Sequence, residues 1–193
     1  ILSTAIRSDA ELGDVESHEQ LRFVLSGVDL QGFSLEGGRQ ELRGDTLTVR
    51  REKWEELEPD YDHLPYPRMD LTEHLQAEPL IQSDEERILD TAERLAGRRG
   101  RLRRDPRRTA FLLAEGVHGM LEKEVTFSVP NALQVLESGR GDCNEHTVLY
   151  VALARALGLP ARTVVGLVWL DGAFFYHAWP EVWLPDKGWH IRE

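Results

Sequence analysis

The stretch GRGDCNEHTVLYVALARALGLPAR, residues 139–162, holds the only cysteine of the 193-residue chain. Leu149, Ala152, Leu153, Ala156 and Leu157 recur at helical spacing, which predicts one apolar stripe on an amphipathic helix. Gly158 ends that helix and Pro160 prevents its continuation. Asp142 fits the N-cap, so Cys143 falls in the first turn, where backbone N–H groups lack partners. Those groups and the helix dipole favour negative charge, which lowers a thiol's pKa and enlarges its thiolate fraction. They can also hydrogen-bond an oxyanion on a carbonyl held by the sulfur. The competing reading is a small cysteine filling core space, the commoner fate of a free thiol. Position alone leaves both open.

Beyond the helix, ARTVVGLVW reads as a strand, LDG as a turn and AFFYHAWPEVWL as the returning strand. Alternation puts Phe175, His177, Trp179, Glu181 and Trp183 on one face. A thiolate nucleophile needs an imidazole to hold the ion pair and later protonate the leaving group. A helix followed by a tight hairpin is compact enough to bring His177 beside the helix N-terminus. A lone histidine in an apolar strand is ordinarily a satisfied core residue; the thiol gives this one a reason to be polar and inward-facing. Cys143, His146 and His177 include the Cys-x-x-His spacing seen in zinc sites, but no fourth ligand is evident, so no metal and no other cofactor is expected. Trp169, Trp179, Trp183 and Trp189 are expected to pack the hairpin onto the helices.

Upstream, LRFVL, FSLEG and RQELRGDTLTVRRE alternate with period two between glycine turns. They predict a small β-meander over residues 21–52, its clearest hairpin turning at Gly44-Asp45. Residues 55–82 hold four of the nine prolines and many acids, and read as an extended connector. A helix opens at Ser83 and closes at Gly97, and a second runs from Pro106 to about Glu122. Between them RRGRLRRDPRR packs seven arginines into eleven residues, either a solvated basic loop or an anion or acidic-partner site. Arg-Gly-Asp occurs at residues 43–45 and 140–142, and is read as turn chemistry, not an adhesion signal.

The bulk numbers exclude several classes. One cysteine rules out an internal disulfide framework and a cysteine-based zinc cage. A net charge of −11 argues against a general nucleic-acid binder. The apolar stretch 161–170 is too short to span a bilayer, so no membrane insertion is expected. Asp9, Glu11 and Asp14 interrupt any signal-like opening, and a chain starting at Ile1 is consistent with trimming, so compartment is unreadable. Residues 1–97 carry 10 basic against 23 acidic side chains, whereas residues 98–193 carry 13 against 11. The halves read as different modules.

GDCNEHTVLYVALARALGLPAR, then HAWPEVWL, then GW resembles the core of the transglutaminase-like superfamily of cysteine enzymes. The likeness covers roughly residues 128–192, with PNALQVLESGRG fitting the helix and turn before the cysteine. It implies Cys143 as nucleophile and His177 as general base and acid. Four residues past Trp189, where the family has an Asp usually followed by Pro, this chain has Glu193. That departure leaves a Cys-His-Glu triad, a chain that stops before the motif finishes, or a weakened enzyme; Glu193 is carried as the third member. Trp179 and Asp142 are candidates for substrate binding. The implied fold is α+β, a papain-like cysteine-enzyme core of helices packed on an antiparallel sheet, with a small β-rich N-terminal segment. The expected division is an accessory segment at 1–58, a connector at 59–82 and a catalytic core at 83–193. The implied function is thiol-dependent acyl transfer on a protein or peptide substrate through a thioester. Hydrolysis leads over protein-glutamine crosslinking, and no EF-hand-like loop supports calcium dependence. The alternative is a catalytically silent binding module with the same fold. Substrate identity and oligomeric state are not readable.

Overall fold

Helix α4 (Cys143–Ala156) is the element around which the computed structural model is arranged, and the structure describes residues 5–53, 64, 69–97, 105–125, 130–185 and 188–191. α4 is not the amphipathic helix its leucine stripe predicts. Every residue from Leu149 through Arg155 is buried, as are Glu145 and Thr147. Helices α1 (Glu86–Ala96), α2 (Pro106–Met120) and α3 (Ala132–Ser138) pack against it, and so does the hairpin of β7 (Ala161–Leu170) and β8 (Ala173–Leu184). A helix covered by neighbours on several sides must be apolar around most of its circumference. Val151 and Ala154, off the stripe, are accordingly sealed in the core with Leu149 and Leu153.

The helix ends follow local chemistry, with one correction. α2 begins with Pro106 at its first position, and Asp105 accepts the Arg108 N–H at 2.7 Å. In α3, Asn131 and Gln134 exchange backbone-to-side-chain bonds at 2.9 and 3.0 Å, and Gly139 closes the helix in the left-handed conformation. Ser83 is not the start of α1: it is buried in a turn, its N–H donating to Ile81 O, and the helix begins after an extended Glu85. α2 stops at Met120, because Glu122–Lys123 forms β5 and pairs in parallel with β6 (Arg140–Gly141).

β7 and β8 pair antiparallel around Asp171 and Gly172, both with positive φ. The other edge of β8 takes β1 (Ile6–Arg7) near its start and β9 (Gly188–Ile191) near its end, both antiparallel. A separate sheet is built from β2 (Gln20–Val24), β3 (Gln40–Arg43) and β4 (Thr46–Arg50) in the order β2–β4–β3, turning at Gly44 as expected. FSLEG is not a strand; only an isolated bridge joins Gly37 to Gln40. Within the expected connector, Met69–His74 forms a 3-10 helix. Most of residues 54–68 and the arginine-rich stretch 98–104 lie outside the described residues.

Three residues, Arg155, His190 and Trp189, tie these parts together. Arg155, buried on α4, donates from Nε to Ala161 O at 2.9 Å and from Nη1 to Gln76 O at 2.7 Å and to Glu78. Buried His190 on β9 donates from Nδ1 to Glu52 Oε1 at 2.6 Å, just past β4. Trp189 lies edge-on to His74 and Trp183, with the Arg162 guanidinium 4.2 Å over its ring. No described helix is long and apolar enough to cross a membrane.

Candidate active site

Cys143 is the first residue of α4, and its side chain is half-buried, neither sealed in hydrocarbon nor fully in water. The turn leading to it is held tightly. Glu145, 2% exposed, reaches back to accept the Asp142 N–H at 2.9 Å. A Cβ on Gly141 would stand 2.2 Å from Glu145 Cβ, so only glycine fits there. His146 donates from Nδ1 to Asp142 O at 2.8 Å, and Thr147 Oγ1 donates to Cys143 O at 2.7 Å. Asp142 thus sits where an N-cap was expected, its backbone N–H and C=O both engaged. The Asp142 side chain and the Glu145 N–H complete a capping box, and the helix dipole at this end favours negative charge near the sulfur.

His177 lies on β8, half-buried and opposite Gly166 of β7. Its ring stacks on Trp179 with centroids 6.3 Å apart. The indole of Trp179 covers Gly166: a Cβ there would meet Trp179 Cη2 at 2.6 Å. Trp179 is buried, and its Nε1 has no hydrogen-bond partner among the described residues.

The bond that joins the cysteine helix to β8 comes from other residues. Tyr176 Oη donates to Asn144 Oδ1 at 3.1 Å. Each partner is one position away from the expected pair, Asn144 after Cys143 and Tyr176 before His177. Burial first, and then the neighbouring Cys143 sulfur, push the Tyr176 phenol above its ordinary pKa. No hydrogen bond links Cys143 Sγ to the His177 ring among the described residues. Neither Asn144 nor Tyr176 follows from the sequence by type. The available signal was adjacency: the two neighbours of an expected cross-element pair sit on the same two elements. Glu193 lies outside the described residues. Among the described residues no three His, Cys, Asp or Glu side chains converge on a possible metal position.

Comparison with known proteins agrees with the motifs. Residues 100–192 match the model of the Transglutaminase-like superfamily. No curated protein matches the chain. Among solved structures, a proposed cysteine protease from Cytophaga hutchinsonii superposes with a TM-score of 0.58 at 21% identity, over 77% of this chain and 50% of that one. The periplasmic domain of TgpA from Pseudomonas aeruginosa, bound to ethylmercury, superposes with a TM-score of 0.50 at 18% identity, over 91% of this chain and 64% of that one. This chain therefore spans about half to two-thirds of the length of those two structures. At such identities the likeness is one of fold: mixed helix and strand, with helices packed against sheet. The family that the cysteine and histidine motifs resemble is the one whose model residues 100–192 match, the transglutaminase-like superfamily.

Proposed function

We propose that the chain carries a thiol-dependent acyl-transfer site with Cys143 as nucleophile and His177 as its proton carrier, on a papain-like core. Sγ attacks an amide or peptide carbonyl, a sulfur–carbon bond forms, and the carbon–nitrogen bond breaks as the amine leaves with the proton from His177. Water then attacks the thioester and releases the acid, restoring the thiol; a primary amine in place of water gives a crosslink. Hydrolysis is the leading outcome. Glu193 is proposed to orient the imidazole, as the acid of a triad does, and Trp179 and Asp142 to border the acyl-binding cleft.

One observation carries this reading: the only thiol of the sequence opens the central helix while remaining reachable. The family match supports it. A second reading, a silent binding module, is favoured by the missing bond between sulfur and ring. Iodoacetamide labelling across pH separates them. Because the chain has one cysteine, labelling stoichiometry reports that site alone. An activated thiolate gives rapid alkylation near pH 6 that His177→Ala abolishes. A titration centred on the ordinary thiol value of about 8.5, unchanged by that substitution, would establish the silent module instead.

A further inference from the structure

Resting on the acyl-transfer reading above, we infer that the side-chain amide of Asn144, held in place by Tyr176, is an oxyanion donor of the Cys143 site. A tetrahedral intermediate on Sγ places a negative oxygen that must be met by fixed donors. A backbone N–H in the first turn of α4 supplies one; the structure offers a candidate for the second. Asn144 follows Cys143 in the first turn of α4 and is exposed, so its side chain lies on the solvent side of the helix end, where a substrate arrives. A free asparagine amide would rotate. Here Tyr176 Oη donates to Oδ1 at 3.1 Å, which engages the acceptor end of the amide and leaves the Nδ2 protons as the unengaged end. A phenol is protonated across the neutral range at its ordinary pKa of about 10, so Tyr176 serves as the donor in this bond.

Tyr176 itself is fixed from the sheet. It stands on β8 directly opposite Leu167 of β7, within the paired part of the hairpin. Tyr176 is thus a positioning residue and Asn144 the group that touches the reacting oxygen. The two elements that carry the pair are a helix buried from Leu149 through Arg155 and a hairpin paired from Ala161–Val182 to Leu170–Ala173, and preorganisation of a donor requires such fixed supports.

The test uses p-nitrophenyl acetate. Sγ attacks the ester carbonyl, the acetyl–sulfur bond forms, p-nitrophenolate departs, and water later hydrolyses the thioester. The burst of p-nitrophenolate measures acylation, which passes through an oxyanion. Iodoacetamide alkylation at its thiolate plateau measures the same sulfur displacing iodide from a methylene, with no oxyanion formed. Asn144→Ala is expected to lower the saturating burst rate by about 10²-fold, the effect of removing one such donor, with the half-saturating ester concentration and the alkylation rate unchanged. Tyr176→Phe is expected to lower the same rate by a smaller factor. A burst in Asn144→Ala within about twofold of wild type, or an equal fall in the alkylation rate, overturns this inference alone. Absence of a Cys143-dependent burst in the wild-type chain overturns the acyl-transfer reading and this inference with it.

Discussion

Replacing Gly141 by alanine asks whether the turn before Cys143 holds the thiol in place. The new Cβ would lie 2.2 Å from Glu145 Cβ and 2.6 Å from its Cγ. Reaching the 3.4 Å at which ordinary contact begins requires the two backbones to part by about 1.2 Å, since Cβ positions are set by the main chain and no rotamer relieves them. Gly141 does not have a positive φ, so alanine adds no torsional strain and the cost is steric. Either β6 leaves β5 or the first turn of α4 moves. Both separate the Asp142 N–H from the Glu145 carboxylate. Overpacking of this kind costs about 1–3 kcal/mol, and weakening the cap about 1 more. Cys143 is two residues along, and a misplacement near 1 Å can slow a reaction about a hundredfold. Gly141→Ala is therefore expected to lose about 2–4 kcal/mol in urea unfolding followed by tryptophan fluorescence, and about a hundredfold in the ester burst. Gly119→Ala is the control: that α2 glycine has nothing within 4 Å of a built Cβ, and alanine there should gain about 0.5–1 kcal/mol. An unchanged urea midpoint together with an unchanged burst in Gly141→Ala would refute the reasoning.

Two further outcomes follow from contacts outside the site. Glu52→Ala strips His190 of its one hydrogen-bond partner, since Nε2 has none among the described residues, and should cost about 1–3 kcal/mol. Glu19→Ala, which removes an exposed partner of Lys53 at 3.6 Å, should cost less than about 0.5 kcal/mol; equal urea midpoints for the two variants would contradict the burial argument. His74 is held below its ordinary pKa of 6.5, by burial first, so the unfolded chain takes up a proton there before the folded one does. Stability should therefore fall as pH drops from 6.5 through the folded value, and His74→Gln should flatten that decline between pH 7.5 and pH 5. A decline of the same slope in the variant would dismiss His74 as its source.

What could be read from the sequence was whatever short-range chemistry decides. Asp142 before the helix, Gly158 after it, and Asp171-Gly172 between two β-rich runs each act within a few residues, and the elements they bound stand where expected. The same holds for the turn at Gly44. Expectations failed where a distant partner decides. α4 reads as amphipathic because periodicity assumes one wet face, and no local signal says that α1, α2, α3 and the hairpin all cover it. Ser83 has the chemistry of a cap but is drawn into a buried turn with Ile81. Tyr176 and Asn144 are 32 residues apart, and Glu52 and His190 are 138 apart; such pairs are invisible until the fold exists.

Arg155 gives the core an unusual kind of cooperativity. Its guanidinium is shared by the end of α4, the first residue of β7 and the segment at Gln76–Glu78. Peeling that segment away would take from a guanidinium only 3% exposed both the Glu78 carboxylate and the Gln76 carbonyl that it binds, so the segment is held by more than its own backbone bonds. The hydrogen-bonded amide protons of Gln76, Glu78 and Ile81 should therefore exchange faster in Arg155→Met than in the wild-type chain, although the segment contains no long helix or strand of its own.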